Sequence, residues 1–272
     1  MDLGKFDEAT KLLVDLLNKT EGNEGMGLVS QLLSELDEQY QKADTVHDND
    51  KMRTIARNEA QLTGFLGDWA RNNKDPNISR FYYAYTVYDA RTKRLAATLT
   101  DEPTERRKLL EQTLKLYQNL QTPAMHELYA KTLDPKKVAA GDINPKDPDP
   151  SVQIGVAFTD FELGNYKSTQ AILGDLLANQ KLGPPTLVEQ SSDGVKTKVN
   201  DLYWEATYKL LKSNAEIAKA NKDKTMMDNT VRGLKNILIR GGIPTRWEDE
   251  FESLRKDIAP DFTPATNPAV HK

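Results

Sequence analysis

Residues 3–19 read LGKFDEATKLLVDLLNK, residues 163–179 read LGNYKSTQAILGDLLAN, and the two align without a gap. Leu3, Gly4, Leu13, Asp15, Leu16 and Leu17 recur as Leu163, Gly164, Leu173, Asp175, Leu176 and Leu177. Phe6 answers to Tyr166 and Leu12 to Ile172. Residues 223–240 keep the same apolar spacing through Met227, Thr230, Leu234, Ile237 and Leu238. The physics of the unit is specific. Gly4 and Gly164 fall where one helix stops and the chain reverses, a position that favours a residue tolerating positive φ. The aromatic two residues later anchors the turn, a small residue three positions on (Ala9, Thr169) lets two helices approach, and the leucine pairs face the next unit.

Outward from this unit, proline and glycine punctuate the chain into helical segments. The pattern predicts helices at about 5–19, 25–43, 49–72, 77–99, 103–120, 123–133, 151–163, 166–179, 198–220, 223–240 and 245–258. Apolar stripes run through Leu28, Leu32, Leu33, Leu36 and Tyr40, through Met52, Ile55, Leu62, Leu66 and Trp69, and through Met227, Val231, Leu234 and Leu238. Each stripe gives a helix one face to bury, and short connections make sequence neighbours pack as antiparallel hairpins. No segment shows sustained alternation with β-branched enrichment, so essentially no sheet is expected. Residues 134–150, with four prolines, and 181–197, with Gly183-Pro184-Pro185 and Ser191-Ser192-Asp193-Gly194, read as longer connections. The stretch Pro260–Lys272 reads as a disordered tail.

With its glycine turn, aromatic anchor and small residue, this unit resembles the second half of a tetratricopeptide repeat, whose units are helix pairs of about 34 residues. The first-helix signature is degenerate: Ala157 fits among Val156, Ala157 and Asp160, and Tyr203, Ala206, Thr207 and Leu210 match in 203–210. The resemblance covers about a third of the chain, and residues 49–72 exceed the family's helix length. It implies an all-α, TPR-like solenoid of antiparallel helix hairpins wound as a right-handed superhelix. Residues 1–133 would form N-terminal hairpins that begin mid-repeat and 134–150 a proline-rich connection. Residues 151–259 would form C-terminal hairpins with a capping helix at 245–258, where Trp247, Phe251 and Leu254 share a face. Because 3–19 lack a preceding first helix, the chain is expected to continue a longer solenoid.

Composition excludes several functions. The 272 residues carry 37 basic and 41 acidic side chains, net −4, whereas phosphate-backbone binding needs concentrated positive charge. The densest basic stretch, Arg91 to Lys108, is interleaved with Asp89, Asp101, Glu102, Glu105 and Glu111; nucleic acid is not expected. Cysteine is absent, which removes disulfides, thiolate metal sites and cysteine nucleophiles. No apolar run approaches the ~20 residues that cross a bilayer, so a soluble chain of unspecified compartment is expected. His47, His126 and His271 share no ligand-like spacing, no Gly-x-Ser-x-Gly elbow occurs, and Gly22, Gly25 and Gly27 lack the strand and lysine of a phosphate loop. No metal, cofactor or catalytic residue is expected, and the chain reads as a non-enzyme.

Five aromatics lie close together: Phe81, Tyr82, Tyr83, Tyr85 and Tyr88. At ~100° per residue Phe81, Tyr85 and Tyr88 share a face, read as core, from which Tyr82 and Tyr83 diverge. In the resembled family, partners lie on the concave wall lined by first helices. Position by position, the resemblance places Ile154, Phe158, Phe161 and Glu162 there, then Trp204, Tyr208, Leu211 and Lys212, and, anchoring on Phe81, Tyr82. Tyrosine and tryptophan at such positions suit binding hot spots. The implied function is a scaffold that binds a protein or peptide. Two other readings stay open: an architectural or assembly segment of a larger chain, such as one at a bacterial cell envelope, and the regulatory arm of an enzyme whose catalytic domain lies elsewhere. Oligomeric state and partner identity are left open.

Overall fold

The computed structural model describes residues 12, 13, 15, 17, 19, 22–46, 48–73, 81–141, 144–191 and 194–263. Among them the chain is helical almost throughout: α1 (Gly22–Thr45), α2 (Asn49–Asn72), α3 (Phe81–Thr98), α4 (Pro103–Leu120), α5 (Pro123–Thr132), α6 (Pro135–Ala140), α7 (Pro150–Glu162), α8 (Tyr166–Ala178), α9 (Asp201–Asn221), α10 (Lys224–Arg240) and α11 (Thr245–Ile258). One antiparallel hairpin, β1 (Thr186–Ser191) with β2 (Gly194–Val199), interrupts them. Most of the 3–19 segment, and 264–272 of the expected tail, lie outside the described residues. The chain divides into two compact units, Met1–Thr159 and Asp160–Lys272. The division falls inside α7 and not at the proline-rich connection.

In the first unit the core is built on α2. Met52, Ile55, Leu62, Leu66 and Trp69 are all buried as the stripe predicts, and α1 adds Val29, Leu33, Leu36 and Ala43. Leu28, expected in the α1 stripe, is exposed; the buried series starts one residue later at Val29 and steps 4, 3, 7. Tyr85 joins this core from α3, and Phe81 packs against it. Tyr83, from the divergent pair, is also buried, with its ring centroid 5.4 Å from that of Tyr129 in α5. Because α2 is enclosed on several sides it buries polar groups as well. Glu59 is only 2% exposed; burial, and then the charge of Asp37 in α1, push its pKa up to about 7 against the opposing pull of Arg91 in α3.

Helix starts follow their caps. Asp48 accepts from Lys51 N at the start of α2, the Glu102 carboxylate from Thr104 N and Glu105 N at α4, and Asp223 from Met226 N at α10. The proline-rich connection contains a helix the sequence reading lacked. Asp134 caps α6 by accepting from Lys136 N, Pro135 occupies its first turn and Gly141 ends it at φ +80°. The β-hairpin is the second correction. Val195-Lys196-Thr197-Lys198-Val199 alternates at period two, and buried Asn200 closes the base: its Nδ2 donates to Leu182 O and Pro184 O, and its N to Pro185 O. Gly164 has φ +79°, as the repeat turn requires.

Two predictions follow from buried positions of the first unit. A Cβ on Gly155 would overlap the ring of buried Tyr117. Gly155→Ala should therefore cost about 1–3 kcal/mol by overpacking, read as a fall of several degrees in Tm. Glu59 is held protonated in the folded state to about pH 7, so the folded chain binds more protons than the unfolded one between the ordinary carboxylate range and that value. Its stability penalty is absent in acid, grows as pH rises through that window and is complete above it. Glu59→Gln should raise Tm at pH 8 and leave it nearly unchanged at pH 4; equal shifts at both would refute the assignment.

Candidate functional site

The second unit brings together most of the residues that the resemblance assigns to a partner-binding wall. Helix α9 is its centre and packs against α8, α10 and α11. Asn200 Oδ1 accepts from Tyr203 N at its start, and Lys222 ends it in the left-handed region at φ 54°. Enclosure on several sides again buries residues around the helix, among them Trp204, Ala206, Thr207, Lys209, Leu211 and Ser213.

The aromatic face of α9 is occupied by the chain itself. Phe251 of α11 is fully buried, with ring centroids 5.9 Å from both Trp204 and Tyr208 and edge-on to each. Leu254 and Leu234 join this cluster, with Trp247 and Ile258 packed against it. Polar contacts fix the two ends of α11. Near its start, Trp247 Nε1 donates to Asp201 Oδ1 at 3.2 Å. Near its end, Asp257 lies 2.9 Å from Lys212 Nζ and 2.8 Å from Lys219 Nζ, both of which also reach Glu216. Hydrogen bonds from Lys219 and Lys212 hold the Asp257 carboxyl below its usual range. Burial opposes the charge on Lys212, and its bonds to Asp257 and Glu216 outweigh that and raise its pKa.

The assigned residues therefore divide. Phe158 and Trp204, 1% and 7% exposed, are core, and so are Ile154 and Leu211. A solvent-lined groove at Ile154, Phe158 and Trp204 is thus corrected. Phe158 lies beneath the Arg94 guanidinium at 5.2 Å, and Trp204 beneath α11. Tyr82, Phe161, Glu162, Tyr208 and Lys212 are half-buried. Tyr82 belongs to the first unit and packs against its core.

Lys209 is the functional-type residue that the sequence reading missed. It is 6% exposed, and its Nζ lies 2.8 Å from Glu162 Oε1, 3.7 Å from Glu205 Oε1 and 4.3 Å above the Phe161 ring. A lysine enclosed in this way among packed helices signals a paired charge and no particular chemistry. Phe161 in turn stacks edge-on with Tyr166 and Tyr208.

One solvent-accessible cleft of about 430 Å³ opens between α8, α9 and the start of α10. Leu211, Met226 and Thr230 supply its apolar and methyl-bearing lining, and Gln170, Asn214 and Asn229 supply side-chain amides. Gln170 Nε2 donates to Asn214 Oδ1 at 2.8 Å. Leu211 is the assigned residue that lines this cleft. Among the described residues no group of three or more histidine, aspartate or glutamate side chains is placed to hold a metal ion, and no helix is long and apolar enough to cross a membrane.

No family model matches the chain, and neither a curated protein nor a solved structure does.

The buried ion pair makes a sharp test. Glu162→Gln strips Lys209 of its closest carboxylate inside the core and should cost about 3 kcal/mol in urea unfolding. Replacing both, Glu162→Leu with Lys209→Met, should recover most of that loss. If the double variant is as unstable as the single one, the pair is not what the packing tolerates.

Proposed function

We propose that this chain is a non-catalytic interaction module that receives an extended peptide segment of a protein partner. The cleft between α8, α9 and α10 is the reception site, on helix hairpins of the tetratricopeptide type. The observation that carries the reading is the amide-lined cleft itself. Extended peptides present unpaired N–H and C=O groups, and side-chain amides serve both. Gln170, Asn214 and Asn229 are such groups, set around the apolar surface of Leu211 and Met226. This combination of a hydrophobic floor with a few placed polar groups is what small recognition sites use.

A second reading, architectural, is favoured by α11. Where a helix of the same chain covers the aromatic wall of α9, that wall serves assembly of the module and not capture of a partner. The two readings assign different surfaces and so separate in one experiment. Peptides selected by display on the intact chain should bind the cleft. Asn214→Asp keeps the oxygen that accepts from Gln170 and removes the amino donor. It should weaken the selected peptides about tenfold, with Tm unchanged. Selected peptides indifferent to Asn214→Asp and Asn229→Ala would sink the peptide reading, and absence of any enriched peptide would favour the architectural one.

A further inference from the structure

The first unit holds a small cavity of about 190 Å³ that the interaction reading does not use. Its lining comes from four elements: Tyr83 of α3, Leu120 at the end of α4, His126 of α5, and Pro148, Asp149, Val152 and Gln153 at the start of α7, with Gln121 beside them. Leu120 and Val152 make its wall apolar, and Tyr83 and His126 contribute ring faces. Tyr129 packs behind both, its centroid 5.4 Å from Tyr83 and 5.9 Å from His126.

Two acceptors, Gln153 Oε1 and the Asp149 carboxylate, reach this space. Gln153 Oε1 is buried and, among the described residues, has no hydrogen-bond partner. The Asp149 carboxylate lines the same space, accepting from the Tyr83 hydroxyl at 2.7 Å on Oδ2 and from Ser151 N and Oγ on Oδ1. The donors of Tyr83 and His126 are already engaged. Tyr83 gives its proton to Asp149, and the His126 Nε2 contact at 3.2 Å to Asp147 O needs the proton on Nε2, because a carbonyl only accepts. A helix start would ordinarily offer amides to an anion. Here Pro150 has none, Ser151 N is bound to the Asp149 carboxylate, and Val152 N and Gln153 N are bound to Asp149 O. Among the described residues no lysine or arginine lines the cavity. Burial, and after it the charges of Asp149 and Asp147, push the Tyr129 hydroxyl pKa up, as a locally negative potential does. A carboxylate, an orphaned amide oxygen and aromatic faces without a competing cation form the complement of a small positive group.

We propose that this cavity binds an organic cation bearing N–H groups, an ammonium or guanidinium, with Asp149 supplying the charge, Gln153 Oε1 accepting a hydrogen bond and the rings of Tyr83 and His126 flanking it. Such a group occurs on a free small amine and at the end of a lysine or arginine side chain. The site is separate from the α8–α10 cleft, so either can fail without the other.

His126 is one of three histidines, and its ring resonances, assigned with His126→Gln, report on the cavity by NMR. In the full chain at constant ionic strength, methylguanidinium or methylammonium chloride should move them saturably, with Kd of about 1 mM. Sodium chloride and sodium acetate should not. Blocked arginine and lysine amides separate the sources: binding as tight as the free cations assigns the site to side-chain ends, and exclusion assigns it to free amines. Asp149→Asn should weaken binding by about tenfold or more, and Gln153→Glu, which adds a negative charge and leaves the α7 cap intact, should tighten it several-fold. Saturable binding of acetate in place of the cations, no saturable shift with either cation, or a Gln153→Glu variant that keeps its Tm and binds no tighter would each overturn the assignment.

Discussion

The C-terminal unit depends on a charge that must be neutralised where water cannot reach it. Lys209 lies on the buried side of α9, and an isolated ammonium there would cost several kcal/mol. Glu162 at 2.8 Å and the Phe161 ring at 4.3 Å answer it from the end of α7. That pairing fixes where α7 ends relative to α9, and the turn at Gly164 then sends α8 back along the same unit. Specific geometry, more than net stabilisation, is what a buried pair of this kind contributes. Phe161, held beneath the lysine, also presents its edge to Tyr166 and Tyr208, which links the pair to the aromatic cluster under α11.

The first unit meets the same constraint differently. Helix α2 is enclosed between α1 and α3, so polar positions flanking its apolar stripe, among them Asn58, Glu59 and Thr63, are buried too. Thr63 Oγ1 donates to Glu59 O, and Thr92 Oγ1 to Tyr88 O, so each hydroxyl is satisfied by its own helix. Asp89 takes Lys93 as partner four residues on. Glu59 instead stays protonated near neutrality, because burial, and then the charge of Asp37, raise its pKa against the pull of Arg91. Long helices packed on several sides therefore carry threonines and paired charges where a one-sided amphipathic helix would carry only leucine.

Most of this was legible in the sequence as far as helices are concerned, and the reasons are local. Prolines 103 and 123 open helices, glycine 164 turns the chain at positive φ, and the stripe of α2 was read correctly at every position. Misreadings were local as well. Proline was taken as a breaker at 134–150, although Pro135 after Asp134 is a helix start and Gly141 a matching stop. Glycine and serine in 181–197 hid the period-two run of residues 195–199. The candidate site was less legible. Trp204 and Tyr208 have the spacing of an exposed recognition wall, and nothing within α9 says that a helix forty residues later will cover it. Lys209 shows the same limit from the other side, since a lysine reads as solvated until its carboxylate partner is known.

Occupancy of that face bears on how a partner could bind at all. Helix α11 is tethered to α9 through α10, so its local concentration on the aromatic face exceeds that of any free segment. Phe251 fills the space between Trp204 and Tyr208, and Asp201 and Asp257 hold its two ends in register. A competing helix would have to replace the aromatic contacts and both polar clamps, while the entropy of tethering favours the resident. Among the described residues no helix fills the amide-lined cleft, and there the Gln170–Asn214 bond uses one donor of Gln170 and the oxygen of Asn214. In a chain built this way the aromatic residues hold the helices together, and the peptide-binding proposal rests on the less conspicuous polar surface between α8, α9 and α10.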